Sequence, residues 1–224
     1  MERDALARLP DGLVRAWPVP VEEITLIGHS MGGLVVRSAC HYGPTHRGRP
    51  VRSWFHRSWT ARVRRVVLLG APNTGAPLEM LATIASAALW ALPLPPARLV
   101  GLGLGQRSAG IRDLRFGALL EGDWLEQDPD ARRRPTPHRV RPLRRADYLL
   151  VAGHLAAQPD TVLARILGDA LVTVPSATGR LAPTAEGDRS LFPGSTSRVL
   201  PSTSHLALAA DPGVYGEIDR WWRG

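Results

Sequence analysis

The sequence contains no lysine and a single cysteine, Cys40. One cysteine excludes an intramolecular disulfide framework and leaves the redox compartment open. No stretch reaches the roughly 18 apolar residues that a membrane-spanning helix needs, and no apolar core follows the N-terminal residues Met1 to Asp4. From the sequence as it stands we expect a soluble, cytoplasmic protein without an export signal.

Because lysine is absent, arginine carries all of the positive side-chain charge. The 28 basic and 20 acidic residues give a formal net charge of +8, which ordinarily suggests nucleic acid or an anionic membrane as a partner. The abundance of Arg, Ala, Gly and Pro is instead typical of a GC-rich genome, so no nucleic-acid partner is expected. The densest basic run, Arg132 to Arg145, is broken by prolines and lacks interleaved aromatic residues, which favours a solvated loop.

The order of apolar runs predicts alternating strands and helices in one domain that spans residues 1–224. Strands are predicted at 24–27, 63–69, 147–152 and 197–200, helices at 4–16, 32–42 and 211–222, and a short helix or strand at 163–174. Strands separated by helices indicate an α/β fold with a mostly parallel sheet. The stretch at about 77–125 is predicted to be a helical cap, and a basic loop follows at about 126–145.

A glycine-rich turn lies between the first predicted strand and the helix that follows it. The segment Gly28-His29-Ser30-Met31-Gly32 matches G-x-S-x-G, in which a tight turn strains the serine and glycines avoid clashes with neighbouring backbone. At a helix N-terminus, free N–H groups favour negative charge, so the Met31 N–H can hold a developing oxyanion. The pattern predicts Ser30 as a nucleophile, and an ordinary turn that contains a serine is the alternative.

A serine nucleophile of this type needs a histidine base that comes last in the chain order Ser, Asp or Glu, His. Of the seven histidines, His205 is preferred, because it lies in a polar turn between the last predicted strand and the last helix. His154, which follows the third strand, is the alternative. His29 is adjacent to Ser30 but is expected to point away from it.

The base in turn needs an orienting carboxylate. Asp169 lies in a tight loop before an apolar run, 36 residues ahead of His205, and is the preferred acid. Capping a helix is an equally ordinary role for an aspartate. Asp160 and Asp188 are the alternative acids.

No cofactor or metal is expected. The residues that suggest zinc binding are Cys40, His41, His46 and His56, and their spacing fits none of the usual structural sites. Trp59 is predicted to pack in the core rather than to form a substrate platform.

Two separated segments, Gly28 to Cys40 and Leu68 to Glu79, resemble the bacterial lipase-like α/β-hydrolases related to the GPI inositol-deacylase family. The segment from Gly168 to Ser176 is similar to the Gly-Asp-Gly-Leu-Val stretch that carries the acid in those proteins. His205 and the residues after it resemble their C-terminal histidine turn and closing helix. One departure is Ala170, which stands where the family has a second glycine.

The resemblance implies a lipase- or esterase-type hydrolase whose substrate is a small-molecule or lipid ester, with Ser30, Asp169 and His205 as its triad. Transient contact with a membrane surface and the oligomeric state stay open. An acyltransferase that uses the same triad is an alternative, and so is a catalytically impaired remnant that acts as a binding module.

The α/β-hydrolase fold normally takes a second oxyanion donor from a loop that precedes the nucleophile. Only 29 residues precede Ser30, whereas two βα units of about 30 residues each normally separate that loop from the elbow. We therefore expect a partial α/β-hydrolase fold, a mostly parallel sheet flanked by helices with its first strands missing. A misassigned start, a fragment or a decayed gene are the possible reasons.

Overall fold

The computed structural model describes residues 3–43, 45–46, 49–50, 58–76, 117, 119–123, 139–156, 168–181 and 189–224. In chain order, the elements are α1 (Arg3–Ala16), β1 (Ile24–His29), α2 (Met31–Tyr42), β2 (Thr45–His46), β3 (Arg49–Pro50), a 3₁₀ turn (Trp59–Arg62), β4 (Val63–Leu69), a 3₁₀ turn (Glu121–Asp123), β5 (Asp147–His154), α3 (Val174–Ala177), β6 (Thr196–Pro201), a 3₁₀ turn (Ala207–Ala209) and α4 (Pro212–Arg223).

Four of the strands form a parallel sheet in the order β1-β4-β5-β6. The short strands β2 and β3 pair with each other in an antiparallel ladder. The parallel sheet flanked by helices confirms the predicted fold class. Because all four strands run in the same direction, the loops after β1, β4, β5 and β6 gather at one edge of the sheet, where α/β folds usually place ligands.

The two central strands account for the longest apolar runs of the sequence. In β4, Val66 to Leu68 are fully buried, as are Leu149 to Ala152 in β5. Both faces of these strands are covered, which is why they are continuously apolar rather than alternating. One face packs on α1, α2 and the Trp59 turn, and the other on α4 and the turn before it.

β1 lies at the side of the sheet. Apart from the buried Gly28, its residues are partly buried or exposed, and Ile27 is 58% exposed. β1 is one of the two outer strands of the described sheet, and among the described residues no other strand pairs with its free edge. The described part of the chain therefore presents an apolar side chain at this edge.

Most predicted elements are confirmed, with β1 and β5 each two residues longer than expected. Trp59 is buried in the core, which confirms its packing role. The prediction of a helix or strand over 163–174 is wrong for residues 168–173, which form turns around Asp169. Residues 119–120 likewise lie in no helix.

The rest of the predicted cap, apart from residues 117 and 119–123, and the basic loop up to residue 138 lie outside the described residues. Within the described part of the chain, no helix has the length and apolar character required to cross a membrane.

Candidate active site

The turn between β1 and α2 holds Ser30 in a strained backbone conformation. Its φ of 54° and ψ of −127° lie outside the regions that residues with a side chain prefer. The Ser30 N–H donates a hydrogen bond of 2.9 Å to the carbonyl oxygen of Leu69 at the end of β4. A Cβ on Gly28 would lie 2.7 Å from the Cα of Gly33, so this turn requires glycine. Strand, strained serine and helix have the geometry of a nucleophile elbow.

The residue after Ser30 begins the helix. Met31 is the first residue of α2, and the first four N–H groups of an α-helix have no partner within the helix. The partial positive charge of the helix end favours an anion at this point. The Met31 N–H is therefore a candidate oxyanion donor, and we assign no second donor among the described residues.

The structure brings Asp169 and His205 together in a buried pair. The Nδ1 of His205 lies 2.8 Å from Oδ2 of Asp169, and the two side chains are 4% and 0% exposed. The backbone N–H of His205 also donates to the carbonyl oxygen of Asp169, at 3.0 Å. Two contacts of the same residue pair fix the position of the imidazole relative to the carboxylate.

The loop around Asp169 holds its carboxylate by further hydrogen bonds. Oδ1 of Asp169 accepts from the backbone N–H groups of Leu171 at 3.0 Å and Val172 at 2.8 Å. These bonds close a local turn, which explains why the apolar sequence here forms neither helix nor strand. Ala170 has a φ of 84°, in the region that favours glycine. Ala170, at which the sequence differs from the family that it resembles, thus has a backbone conformation typical of glycine.

Both Ser30 and the Asp169–His205 pair lie at the end of β4. The Ser30 N–H is bonded to Leu69, and a Cβ on the next residue, Gly70, would lie 3.2 Å from Cε1 of His205 and 3.0 Å from Oδ2 of Asp169. The Nε2 atom of His205 is buried and has no hydrogen-bond partner in the described structure. Hydrogen bonds between nucleophile and base are often long before substrate binds, and they tighten in the complex.

His29 contacts the predicted base, and the sequence reasoning missed this contact. Its Nε2 lies 2.8 Å from the carbonyl oxygen of His205, and the two rings have centroids 4.9 Å apart at an angle of 39°. Burial lowers the pKa of His29 below its usual value. The residue before Ser30 thus contacts the predicted base, and only its position within the G-x-S-x-G segment could have suggested this.

The ring of His154, the alternative base, makes no hydrogen bond to this pair in the described structure. His154 is 1% exposed, and neither of its ring nitrogens has a hydrogen-bond partner among the described residues. Asp160 and Asp188 lie outside the described part of the chain. His41 contacts the ring of Tyr42.

Cys40 is buried in the core, and burial raises the pKa of its thiol to about 12. In the described ranges, no three His, Cys, Asp or Glu side chains are grouped as metal ligands would be.

A buried polar network connects α2 with α3, the helix that follows the Asp169 loop. Nη1 of Arg37 on α2 donates to the backbone oxygen of Asn73 at 3.1 Å and to its Oδ1 at 3.2 Å. The Asn73 amide donates in turn to the carbonyl oxygen of Ala177 on α3, at 2.9 Å. Burial lowers the pKa of Arg37 to about 10. The segment after β4 thus ties α2 to α3, whose start follows the Asp169 loop.

Comparison with solved structures agrees with the fold class predicted from the sequence. The mature lipase of Bacillus licheniformis superposes with a TM-score of 0.51 at 17% sequence identity, over 96% of this chain and 72% of that chain. This chain has the α/β-hydrolase fold. At such identity the likeness concerns the fold alone.

Two further similar structures are bacterial esterases. The naproxen esterase, carboxylesterase NP, of Bacillus subtilis has a TM-score of 0.47 at 16% identity, over 99% of this chain and 66% of its own. An esterase of Rhodococcus has a TM-score of 0.46 at 18% identity, over 99% of this chain and 73% of its own. No family model and no curated protein matches the chain by sequence.

Proposed function

We propose that this protein is a serine hydrolase of carboxylic esters, with Ser30 as nucleophile, His205 as base and Asp169 as the orienting acid. The observation that carries the proposal is the buried Asp169–His205 hydrogen bond of 2.8 Å, which lies beside a serine held at a φ of 54°. A carboxylate, an imidazole and a strained elbow serine in this chain order are the parts of an acyl-transfer site.

The hydrogen bonds of His205 decide which nitrogen acts as the base. The carboxylate of Asp169 accepts a hydrogen bond from Nδ1 of His205, so Nδ1 carries the proton and Nε2 carries the lone pair. Nε2 is also the atom without a partner in the described residues. It is therefore available to take the proton of the Ser30 hydroxyl.

In the first half of the reaction, Ser30 Oγ attacks the acyl carbon and its proton passes to Nε2 of His205. Asp169 stabilises the imidazolium, and the Met31 N–H faces the developing oxyanion. The alcohol leaves with the proton from Nε2, and the acyl group stays on Ser30. In the second half, water gives its proton to Nε2 and attacks the acyl carbon. The bond from that carbon to Ser30 Oγ then breaks, the proton passes from Nε2 to Oγ, and the acid leaves.

The class of substrate is supported by the sequence resemblance to lipase-like hydrolases related to the GPI inositol-deacylase family. We propose a small-molecule or lipid ester as the substrate, and no step needs a cofactor. An acyltransferase would form the same acyl-enzyme but pass the acyl group to another acceptor. Adding a primary alcohol to the assay separates the two, because a transferase yields the new ester instead of the free acid.

Hydrolysis of p-nitrophenyl butyrate by the purified chain tests the proposal. Ser30→Ala removes the nucleophile and is expected to abolish turnover. Ser197→Ala, at an exposed serine of β6, is the matched control and should retain it. Circular dichroism verifies the fold of each sample.

Labelling with a fluorophosphonate supplies a second readout that does not depend on the choice of ester. Mass spectrometry is expected to find the adduct on Ser30 in the parent chain and in the Ser197→Ala variant. A folded chain that neither turns over the ester nor takes the label would refute the proposal and favour an impaired remnant. Equal activity in Ser30→Ala would also refute it.

A further inference from the structure

We propose that His29, the residue that precedes the nucleophile, is a positioning residue. It keeps the catalytic imidazole of His205 at a fixed position relative to Ser30. This inference rests on the proposed function, since it assigns His205 as the base. It does not make His29 a proton carrier in the reaction. Its role is to connect two turns that come from opposite ends of the chain.

The geometry fixes the direction of the hydrogen bond between the two residues. The carbonyl oxygen of His205 can only accept, so Nε2 of His29, at 2.8 Å, is the donor and carries a proton. Burial, which lowers the pKa of His29, favours the neutral ring, in which Nε2 donates and Nδ1 has a lone pair. The bond spans 176 residues of sequence. It is a tertiary contact, and no local turn chemistry creates it.

Among the described residues, the ring of His205 makes one side-chain hydrogen bond. Its Nδ1 is bonded to Asp169, whereas its Nε2 has no partner in the described part of the chain. The orientation of this buried ring therefore also depends on the groups that pack against it. The ring of His29, with its centroid 4.9 Å away and tilted by 39°, is one of these groups.

The backbone of His29 is itself anchored beside the nucleophile. It is the last residue of β1, paired with Leu69 of β4, and the next N–H in the chain, that of Ser30, donates to the Leu69 carbonyl. His29 therefore transmits the position of the Ser30 turn to the His205 turn. Without it, the two turns are related only through their separate contacts with the end of β4.

Three substitutions separate the two contacts of His29. His29→Gln keeps an N–H donor at similar reach and removes the ring, His29→Phe keeps a ring and removes the donor, and His29→Ala removes both. His41→Gln, at an exposed histidine of α2, is the matched control. The steady-state constants are measured with p-nitrophenyl butyrate, and thermal melts verify that each variant folds.

We expect His29→Ala to lower kcat by roughly 10-fold to 100-fold with KM nearly unchanged, because a displacement of about 1 Å at the reacting atoms costs on that order. His29→Gln should regain most of kcat, because the carbonyl of His205 regains its donor. His29→Phe should fall between Gln and Ala. A kcat for His29→Ala within twofold of the parent overturns the proposal, as does a Gln variant that folds normally but is no better than Ala.

Proton NMR provides a readout that does not require turnover. The Nδ1 proton of His205, which forms the hydrogen bond to Asp169, gives a low-field resonance. This resonance should broaden or disappear in His29→Ala and return in His29→Gln. If this resonance is unchanged in His29→Ala, His29 does not position the ring. An inactive parent chain with a His29-dependent resonance would refute the ester hydrolase but leave the positioning role in place.

Discussion

Replacing Asp169 with asparagine tests the carboxylate–imidazole pair while keeping its shape. In the parent protein, Oδ1 of Asp169 accepts from the N–H groups of Leu171 and Val172, and Oδ2 accepts from Nδ1 of His205. An asparagine has one oxygen and one NH₂ group, so it can satisfy only one side of this arrangement. The two backbone donors and the imidazole then compete for the oxygen.

The competition favours the backbone. If the NH₂ group faced Leu171 and Val172, two buried N–H donors would lose their acceptor, at a cost of about 1–3 kcal/mol each. The amide oxygen is therefore expected to stay on the backbone side, and the NH₂ group to donate to Nδ1 of His205. This arrangement forces the imidazole proton onto Nε2, where the base needs its lone pair.

We expect kcat of Asp169→Asn to fall by about 10⁴-fold, as when the wrong tautomer is imposed on a serine-protease triad. This corresponds to about 5.5 kcal/mol in the activation free energy. The fold should survive, because each of the three hydrogen bonds to the carboxylate is replaced by a neutral one, at a cost of about 1 kcal/mol each. The melting temperature should then fall by about 6–12 °C.

The assay combines initial rates on p-nitrophenyl butyrate with nitrogen-15 NMR of the imidazole. Rates are normalised to the fraction of chains that fold, as measured by thermal melts. The NMR shifts should show a proton on Nδ1 in the parent and on Nε2 in the variant. A kcat within tenfold of the parent, or a proton that stays on Nδ1, would contradict this reasoning.

Two predictions concern stability. Ala170→Gly should relieve the φ of 84°. The gain of about 1–2 kcal/mol is partly offset by about 0.4–1 kcal/mol of extra chain entropy in the unfolded state, so the melting temperature should rise by about 1–3 °C. A lower melting temperature would contradict the strain. Gly33→Ala should lose about 1–3 kcal/mol, because a Cβ on Gly33 would overlap that of Ala71. Gly32→Ala, one residue earlier on α2 with nothing within 4 Å of its Cβ position, is the control and should not lower the melting temperature. Equal melting temperatures for the two variants would refute the packing argument.

The sequence predicted the parts of the site that depend on local chemistry. A short apolar run before Gly28 and a helical pattern after Ser30 are sufficient to place the elbow, because the strained turn needs both neighbours. Asp169 and His205 were both predicted, and the structure joins them at 2.8 Å. The parallel sheet also followed from the alternation of strands and helices.

Contacts between distant segments could not be predicted from the sequence. The bond from His29 to His205 depends on which strand ends lie next to each other, and apolar patterns do not contain this information. The prediction for residues 168–173 was wrong because their apolar side chains suggested regular structure. The Asp169 carboxylate instead accepts hydrogen bonds from two backbone N–H groups, which are then not available for strand pairing.

The end of β4 explains why these separate pieces form one site. Leu69 accepts the Ser30 N–H, and the next residue, Gly70, leaves room for the ring of His205 and the carboxylate of Asp169, both of which come within 3.2 Å of its missing Cβ. A larger side chain at residue 70 would press on base and acid together. The proposed nucleophile and the proposed base therefore share one reference point at the buried end of a central strand, and His29 adds a direct connection between their two turns. A site with both constraints is positioned by the sheet rather than by the loops, which is the condition for precise proton transfer.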